Sequence, residues 1–390
     1  MTEDEETAID LSKDQYGALK EIVKRLRDGE PLVTLGGYAG SGKSTLIPFI
    51  VYELFEDLKN TAFCCFTGKA ANVIRSKLHE AGMSGDAGYI GTIHGLIYHP
   101  RKGVKGDVAW EKRTHLDLDH TRIKRVVIDE VSMVGKKLLD DLLSFGIQIL
   151  AVGDPAQLPP INDESVIMKP HVLLSKIHRQ AEDNPIIQFA AYIRKHGEMP
   201  GFNDSESIRR IGYKEASPIL DRMIVENPME VAVLARTNKA RIVMNHSLFG
   251  DTPKEGHVVV CLRNNNREGI VNGMRGVIRA VRGFEGNGWC PMKIYFPDKG
   301  VVKGFPYVST HQFGREKTFS PKELDQQFKT QDIGVLFDFG TCLTVHKAQG
   351  SAFSDVFLSP NPMGNRLERK QWLYTAVTRA SERLYILPNW

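Results

Sequence analysis

The run Gly37-Tyr38-Ala39-Gly40-Ser41-Gly42-Lys43-Ser44-Thr45 fits the pattern G-x-x-x-x-G-K-[ST]. An apolar stretch, Pro31 to Leu35, leads into it, and a helix-compatible run, Leu46 to Leu58, follows. Strand, glycine loop and helix in that order commit the chain to an α/β core. Backbone N–H groups of such a loop ring a phosphate, and the helix N-terminus adds positive potential. In this arrangement Lys43 reaches the β- and γ-phosphates and Ser44 sits on magnesium. The expected ligand is a nucleoside triphosphate with Mg2+.

The rest of the first half alternates strand and helix patterns. Ala62–Phe66, Arg125–Ile128 and Gln148–Val152 read as buried parallel strands, with amphipathic runs at 68–82 and 136–145 between them. A second unit of the same kind follows. Glu230–Ala235, Leu336–Val345, Asp355–Leu358 and Arg383–Leu387 read as strands, and Asn238–Phe249 and Arg366–Arg379 as helices. Two segments interrupt these units. Residues 98–120 are polar, with Gly103, Gly106 and Trp110, and suit a β-hairpin. From 256 to 331 short apolar runs broken by glycine suit a small β-barrel. The expected class is α/β with two parallel-sheet lobes and two β insertions. The expected bounds are 1–96 with 121–176, 97–120, 177–255 with 332–390, and 256–331.

Composition excludes little else. The net charge of +4 permits a basic channel for a polyanion without demonstrating one. The five cysteines form no C-x-x-C pair, which leaves zinc and redox motifs unsupported. The N-terminus is acidic, no apolar run approaches a membrane span, and a cytoplasmic location is the default expectation.

Val126-Val127-Ile128-Asp129-Glu130 is an apolar strand ending in two acids. Downstream of a phosphate loop, Asp129 suits a magnesium ligand acting through water, and Glu130 suits polarisation of the attacking water. Gly153-Asp154-Pro155-Ala156-Gln157 ends another strand, and Gln157 can bond both the γ-phosphate and that water. Arg179 and Arg379 lie beyond the first lobe, where a guanidinium can neutralise charge on the transferred phosphoryl group. If both reach the phosphates, nucleotide lies between the lobes.

The ordered set of motifs resembles the superfamily 1B DNA helicases of the RecD/Dda-like branch. The matching pieces are Gln15 in Leu11-Ser12-Lys13-Asp14-Gln15, the phosphate loop, Thr67-Gly68-Lys69-Ala70-Ala71, Thr92-Ile93-His94, Asp129-Glu130, and the segment from Gly153 to Pro160. They continue with His178-Arg179-Gln180, Thr344-Val345-His346-Lys347-Ala348-Gln349-Gly350, and Leu373 to Ala380. They span residues 11 to 388. The resemblance implies two RecA-like lobes, ATP hydrolysis and 5′ to 3′ travel on single-stranded DNA. It implies that Gln15 reads adenine and that Gly350 lies near the γ-phosphate, with Tyr38 and Arg236 as weaker candidates for base or ribose. Thr67, Lys69, Thr92, His94, Thr344, His346 and Lys347 would contact the DNA backbone. Singly, each suits a capped helix start as well. The hairpin would be the strand-separating pin, with Tyr98 or Trp110 at the junction, and the second insertion an SH3-like barrel.

Without the long N-terminal extension of larger relatives, the expectation is a monomer working at single-stranded DNA and fork junctions. A single-strand-binding or replisome protein is the open partner. A translocase that strips proteins from DNA and unwinds weakly is the alternative. A P-loop small-molecule kinase has no use for the Thr344–Gly350 run, and a dead ATPase conflicts with the intact Lys43, Asp129, Glu130, Gln157 and Arg379.

Overall fold

The computed structural model describes residues 11–54, 58–80, 82–83, 87–102, 108–118, 121–161, 163–177, 183–201, 204–263, 270–283, 289–297, 300–301, 307–318, 336–361 and 363–388. Two parallel sheets carry the architecture. The first has the spatial order Val172–Leu174, Leu32–Gly37, Gln148–Gly153, Arg125–Ile128, Thr61–Cys65, Tyr89–Thr92. Every neighbouring pair in it is parallel.

Its strands are apolar at successive positions because both faces are covered. Val33, Leu35, Phe63, Cys65, Val127, Leu150 and Val152 pack against the helices Lys13–Arg27, Lys43–Leu54 and Gly68–Glu80. Ala62, Cys64, Val126, Ile128, Ile149 and Ala151 face the helices Ile93–Ile97 and Lys136–Leu143. The period of two puts alternate residues of one strand into two cores.

The second sheet runs Ile208–Arg210, Ala380–Ile386, Phe353–Leu358, Val231–Ala235, Cys342–Thr344, again all parallel. Helices Pro185–His196 and Arg366–Val377 cover one face, and Tyr213–Glu226 and Asn238–Phe249 the other. The first of these two cores does not stop at its own lobe. It includes buried Leu158 from the loop after Gln148–Gly153, and Ala39 and Ala156 pack against it.

Tyr98–Lys102 pairs antiparallel with Val108–Lys112, and Asp117–Leu118 with Thr121–Arg122. The turn expected at 103–106 lies outside the described residues. A mainly antiparallel sheet takes in Val258–Cys261, Arg275–Val281, Trp289–Phe296, Gly300–Val301, Tyr307–Ser309 and Phe337–Phe339.

Leu336–Val345, read from sequence as one strand, is two. Phe337–Phe339 pairs antiparallel with Val258–Cys261, and Cys342–Thr344 pairs parallel with Val233–Ala235. Gly340 makes the break. A Cβ there would lie 2.8 Å from the Val259 carbonyl carbon, so only glycine lets the chain cross from one sheet to the other. The antiparallel sheet thus draws a strand from beyond residue 331.

Candidate functional site: a nucleotide seam between two lobes

Three adjacent strands of the first sheet deliver the site. Leu32–Gly37 pairs with Gln148–Gly153, which pairs in turn with Arg125–Ile128. Their carboxyl ends carry the phosphate loop, Asp154 to Gln157, and Asp129-Glu130. Open α/β sheets place ligands outside such strand ends.

The phosphate loop has the backbone its sequence demands. Gly40 and Gly42 take φ values of 78° and 74°, which L side chains resist. A Cβ on Gly37 would strike Ser41 Oγ and Lys43 Cγ, at 2.5 and 2.6 Å. The helix Lys43–Leu54 starts immediately after the loop, so Lys43, Ser44 and Thr45 fill its first turn and aim N–H groups at a bound anion. Lys43 Nζ donates to the Tyr38 carbonyl at 3.1 Å. Ser41 Oγ and Gln157 Oε1 are buried with no hydrogen-bond partner among the described residues, as polar groups awaiting a polar ligand would be.

Asp129 is buried and accepts from the Glu130 N–H at 2.8 Å. Burial pushes its carboxyl above the usual range, and the neighbouring Glu130 adds to this, while Lys77 and Lys43 pull the other way. Glu130 has φ 54° and ψ 40°, the one non-glycine residue at positive φ among those described. Strained backbone of this kind collects where a side chain must be aimed. The Ser44 hydroxyl and the Asp129 carboxylate are oxygen donors of the kind that suits Mg2+. That ion takes one or two carboxylates and completes its shell from phosphate and water. Among the described residues no cluster of three or more His, Cys, Asp or Glu offers a self-sufficient metal cage.

The second lobe closes the other side. Tyr374, on the helix Arg366–Val377, donates its hydroxyl proton to Asp154 Oδ2 at 2.8 Å and accepts from the Ala39 N–H at 2.8 Å. Asp154 is 1% exposed, and burial raises its carboxyl pKa despite Lys43 nearby. Thr375 Oγ1 accepts from the Leu158 N–H at 2.8 Å, and Gln349 Nε2 donates to the Leu158 carbonyl at 3.0 Å. Arg194 lays its guanidinium over the Tyr38 ring, 3.6 Å from the centroid. The phosphate loop and the loop bearing Gln157 are therefore both bonded to the second lobe.

The arginines fall differently. Arg379 is 6% exposed and spends its donors within its own lobe, on the Thr375 and Ser351 carbonyls and Thr378 Oγ1. It lies just past the end of the helix Arg366–Val377, which carries Tyr374 and Thr375 to the seam. Arg179 lies outside the described residues. Gly350, with φ 70°, sits where a Cβ would be 3.5 Å from Ala70 of the first lobe. Gln15 is buried as part of a capping box. Its Oε1 accepts from the Ser12 N–H at 3.1 Å, and its own N–H donates to Ser12 Oγ at 3.2 Å. The S-x-x-Q spacing signals that local role.

Thr67, Thr92 and Thr344 share one geometry. Thr67 Oγ1 accepts from the Ala70 N–H, Thr92 from Gly95 and Thr344 from Lys347. Each caps the start of a helix, and each hydroxyl retains a proton that it can donate. Lys69 Nζ lies over the Phe353 ring, 5.4 Å from the centroid. Burial lowers the His94, His346 and Lys347 pKa values, with Arg236 also acting on His346 and Arg241 on Lys347. Tyr98 donates to Asp141 Oδ2 at 2.6 Å, and burial with this bond pushes its pKa up to about 12. Lys112 Nζ reaches Ser144 Oγ at 3.1 Å and Asp141 Oδ1 at 3.5 Å. Tyr98 and Lys112 thereby fasten the hairpin's base to the helix Lys136–Leu143. Trp110 lies on the strand Val108–Lys112 opposite Pro100.

Tyr374, Asp154, Thr375 and Arg194 were not assigned from sequence. The first three sit inside quoted motifs, so position flagged them. Arg194 had no such signal, because its role exists only across the seam.

Residues 20–163 match the family model described as an AAA domain, and residues 339–387 match the UvrD-like helicase C-terminal domain. The chain is 29% identical to the ATP-dependent RecD2 DNA helicase of Deinococcus radiodurans, across 96% of this chain and 48% of that protein. It is 30% identical to the ATP-dependent DNA helicase dda of Enterobacteria phage T4, across 40% of this chain and 34% of that one. The chain thus spans about half or less of these two relatives. In fold it is similar to Pif1 helicase from Bacteroides solved with ADP-AlF3 and ssDNA, at a TM-score of 0.56 and 17% identity, covering 97% of this chain and 92% of that one.

Proposed function

From a chain that stands with the superfamily 1B helicases of the RecD/Dda-like branch by motif, family match and fold, we propose an ATP-dependent DNA helicase that travels 5′ to 3′ on single-stranded DNA. The observation that carries this is the seam. Tyr374, Thr375 and Gln349 of the second lobe bond the loops that hold Ala39, Asp154 and Leu158 of the first. A triphosphate in the phosphate loop touches a surface that both lobes share, so its cleavage changes how they meet.

In this reading the Gly40–Thr45 N–H groups and Lys43 bind the β- and γ-phosphates. Ser44 and Asp129 hold magnesium, which neutralises phosphate charge when bound. Glu130, aimed by its left-handed backbone, orients the attacking water. Gln157, whose amide oxygen is buried with no partner among the described residues, accepts from that water and reports the terminal phosphate. Arg379 and Arg179 supply positive charge as the lobes close, which for Arg379 requires release of its bonds to Ser351 and Thr375.

The Thr67, Thr92 and Thr344 hydroxyls, with Lys69, His94, His346 and Lys347, grip the phosphate backbone without reading sequence. Residues 97–120 serve as the pin and 256–331, extended to Phe339, as the SH3-like barrel. Thr67 and Thr92 belong to the first lobe and Thr344 to the second, so alternate closure moves one grip relative to the other.

The test is a pair of matched duplexes, one with only a 5′ single-stranded tail and one with only a 3′ tail. ATP-dependent opening of the 5′-tailed duplex is expected. Opening confined to the 3′-tailed duplex overturns the polarity. ATPase that single-stranded DNA does not stimulate overturns the helicase reading.

A further inference from the structure

We propose that Val271, in the turn of the antiparallel insertion, is a positioning residue that seats that insertion on Gly68 of the first lobe and so couples lobe closure to the DNA grip. This rests on the helicase reading above.

The contact is unusually close. A Cβ built on Gly68 would lie 2.5 Å from Val271 Cγ2 and 2.6 Å from Val271 Cβ. Gly68 is not among the glycines at positive φ. Glycine is needed here for space, not for backbone freedom. It stands between Thr67 and Lys69, two of the proposed grip residues, at the start of the helix Gly68–Glu80.

Val271 cannot drift independently. Its carbonyl accepts from the Met274 N–H at 3.1 Å, and the Gly273 N–H bonds the Cys261 carbonyl at 2.8 Å. The strand that follows carries Arg275, buried, which donates to the Met229 and Val231 carbonyls at 3.0 Å each. Arg241 of the helix Asn238–Phe249 pairs with Asp338 at 2.6 Å, both buried. Two arginines thus fasten the insertion to the second lobe, and the two move as one body.

Besides the seam at Tyr374, Thr375, Gln349 and Arg194, that body meets the first lobe at a second place, around Gly68. Val271 covers Gly68, the Phe353 ring lies under Lys69 Nζ, and Gly350 approaches Ala70. Arg275 lies over the same Phe353 ring, 4.8 Å from the centroid. Of these contacts Val271 is the one from the insertion, so movement of the insertion with the second lobe bears through Val271 on the turn that carries Thr67 and Lys69.

The experiment compares Gly68→Ala, Val271→Gly and the pair Gly68→Ala with Val271→Gly. The readouts are DNA-stimulated ATPase and base pairs opened per ATP on a 5′-tailed fork. Gly68→Ala inserts a methyl into an occupied space, and base pairs opened per ATP fall about tenfold, within the usual cost of overpacking. Val271→Gly removes the contact and adds no atoms. It leaves ATPase without DNA unchanged and lowers opening per ATP several-fold. In the pair, the methyl added at position 68 takes the vacated space and opening per ATP recovers above Gly68→Ala alone. Recovery supports direct seating. A pair no better than Gly68→Ala, or a Val271→Gly protein equal to wild type, overturns it, and the second comparison holds even if Gly68→Ala fails to fold. Wild-type hydrolysis with and without single-stranded DNA tests the helicase reading separately.

Discussion

Tyr374 reaches across the seam and gives its hydroxyl proton to Asp154 Oδ2 at 2.8 Å while accepting from the Ala39 N–H. One phenol therefore joins the phosphate loop, the loop that carries Gln157, and the helix that ends near Arg379. Removing it should act on hydrolysis more than on nucleotide binding. Tyr374→Phe keeps the ring and deletes both bonds, leaving the buried Asp154 carboxylate without this donor at about 1–3 kcal/mol and the half-buried Ala39 N–H without this acceptor. Steady-state kinetics should show kcat down about tenfold, equivalent to ~1.4 kcal/mol, with KM for ATP little changed. A KM rise at constant kcat would place Tyr374 in simple binding.

Lys43→Ala should abolish hydrolysis and unwinding together. Arg379 needs a paired design, because its guanidinium also bonds Ser351 and Thr375 inside the second lobe. Arg379→Lys keeps the charge and much of the volume. Both Arg379→Ala and Arg379→Lys should bind ATP within a few-fold of wild type and hydrolyse it at least about a thousandfold more slowly, as for other transferred-phosphate arginines. Parallel nucleotide titration and single-turnover hydrolysis check this. Fast turnover by Arg379→Lys would remove the arginine from the chemistry.

The parts legible in the sequence are those set by short-range rules. The phosphate loop, the acids at the end of Arg125–Ile128 and the helix Asn238–Phe249 followed from glycine spacing and hydrophobic period. Leu336–Val345 did not, because an uninterrupted apolar run carries no mark of which sheet each half joins. Gly340 was the only cue, and its meaning depends on the Val259 backbone against it. Arg194 over Tyr38 and Tyr374 on Asp154 were illegible for the same reason. Their partners are distant in sequence and meet only when two lobes pack.

His257 gives an acid-sensitive joint. It packs on Phe249 and Phe339, and its Nδ1 accepts from the Lys254 N–H at 3.2 Å. Burial, then Lys254, lowers its pKa to about 4 from 6.5. Between those values the unfolded chain binds the proton and the folded chain does not, so stability falls as pH drops from 6.5 towards 4. Thermal melts of wild type should lose more between pH 7 and 4.5 than melts of His257→Gln. Equal slopes would remove His257 from the acid response.

The Arg241–Asp338 pair is buried on both sides, and Asp338 Oδ1 also accepts from the Gly314 and Phe339 N–H groups. Arg241→Met leaves that carboxylate without its cation, and breaking such a pair costs about 3–5 kcal/mol. Denaturant melts should show this loss, with the antiparallel insertion released first by limited proteolysis. Asp338→Asn, which retains an acceptor oxygen but not the charge, should cost less than Arg241→Met.

Glu130 separates stability from chemistry at one position. Its backbone is left-handed at φ 54°, a region that costs a residue with a Cβ of order 1 kcal/mol or more. Glu130→Gly relieves that strain but gives the unfolded chain more freedom, an opposing effect of about 0.4–1 kcal/mol. Glu130→Gln keeps the strain and removes the base. Hydrolysis should be lost in both variants, while only Glu130→Gly gains stability relative to Glu130→Gln. If the two melt together, the strain is no larger than the freedom that glycine adds to the unfolded chain. If Glu130→Gln still hydrolyses ATP at the wild-type rate, water activation belongs to another group at the end of this strand, and Asp129, already above the usual carboxylate range, is the next to substitute.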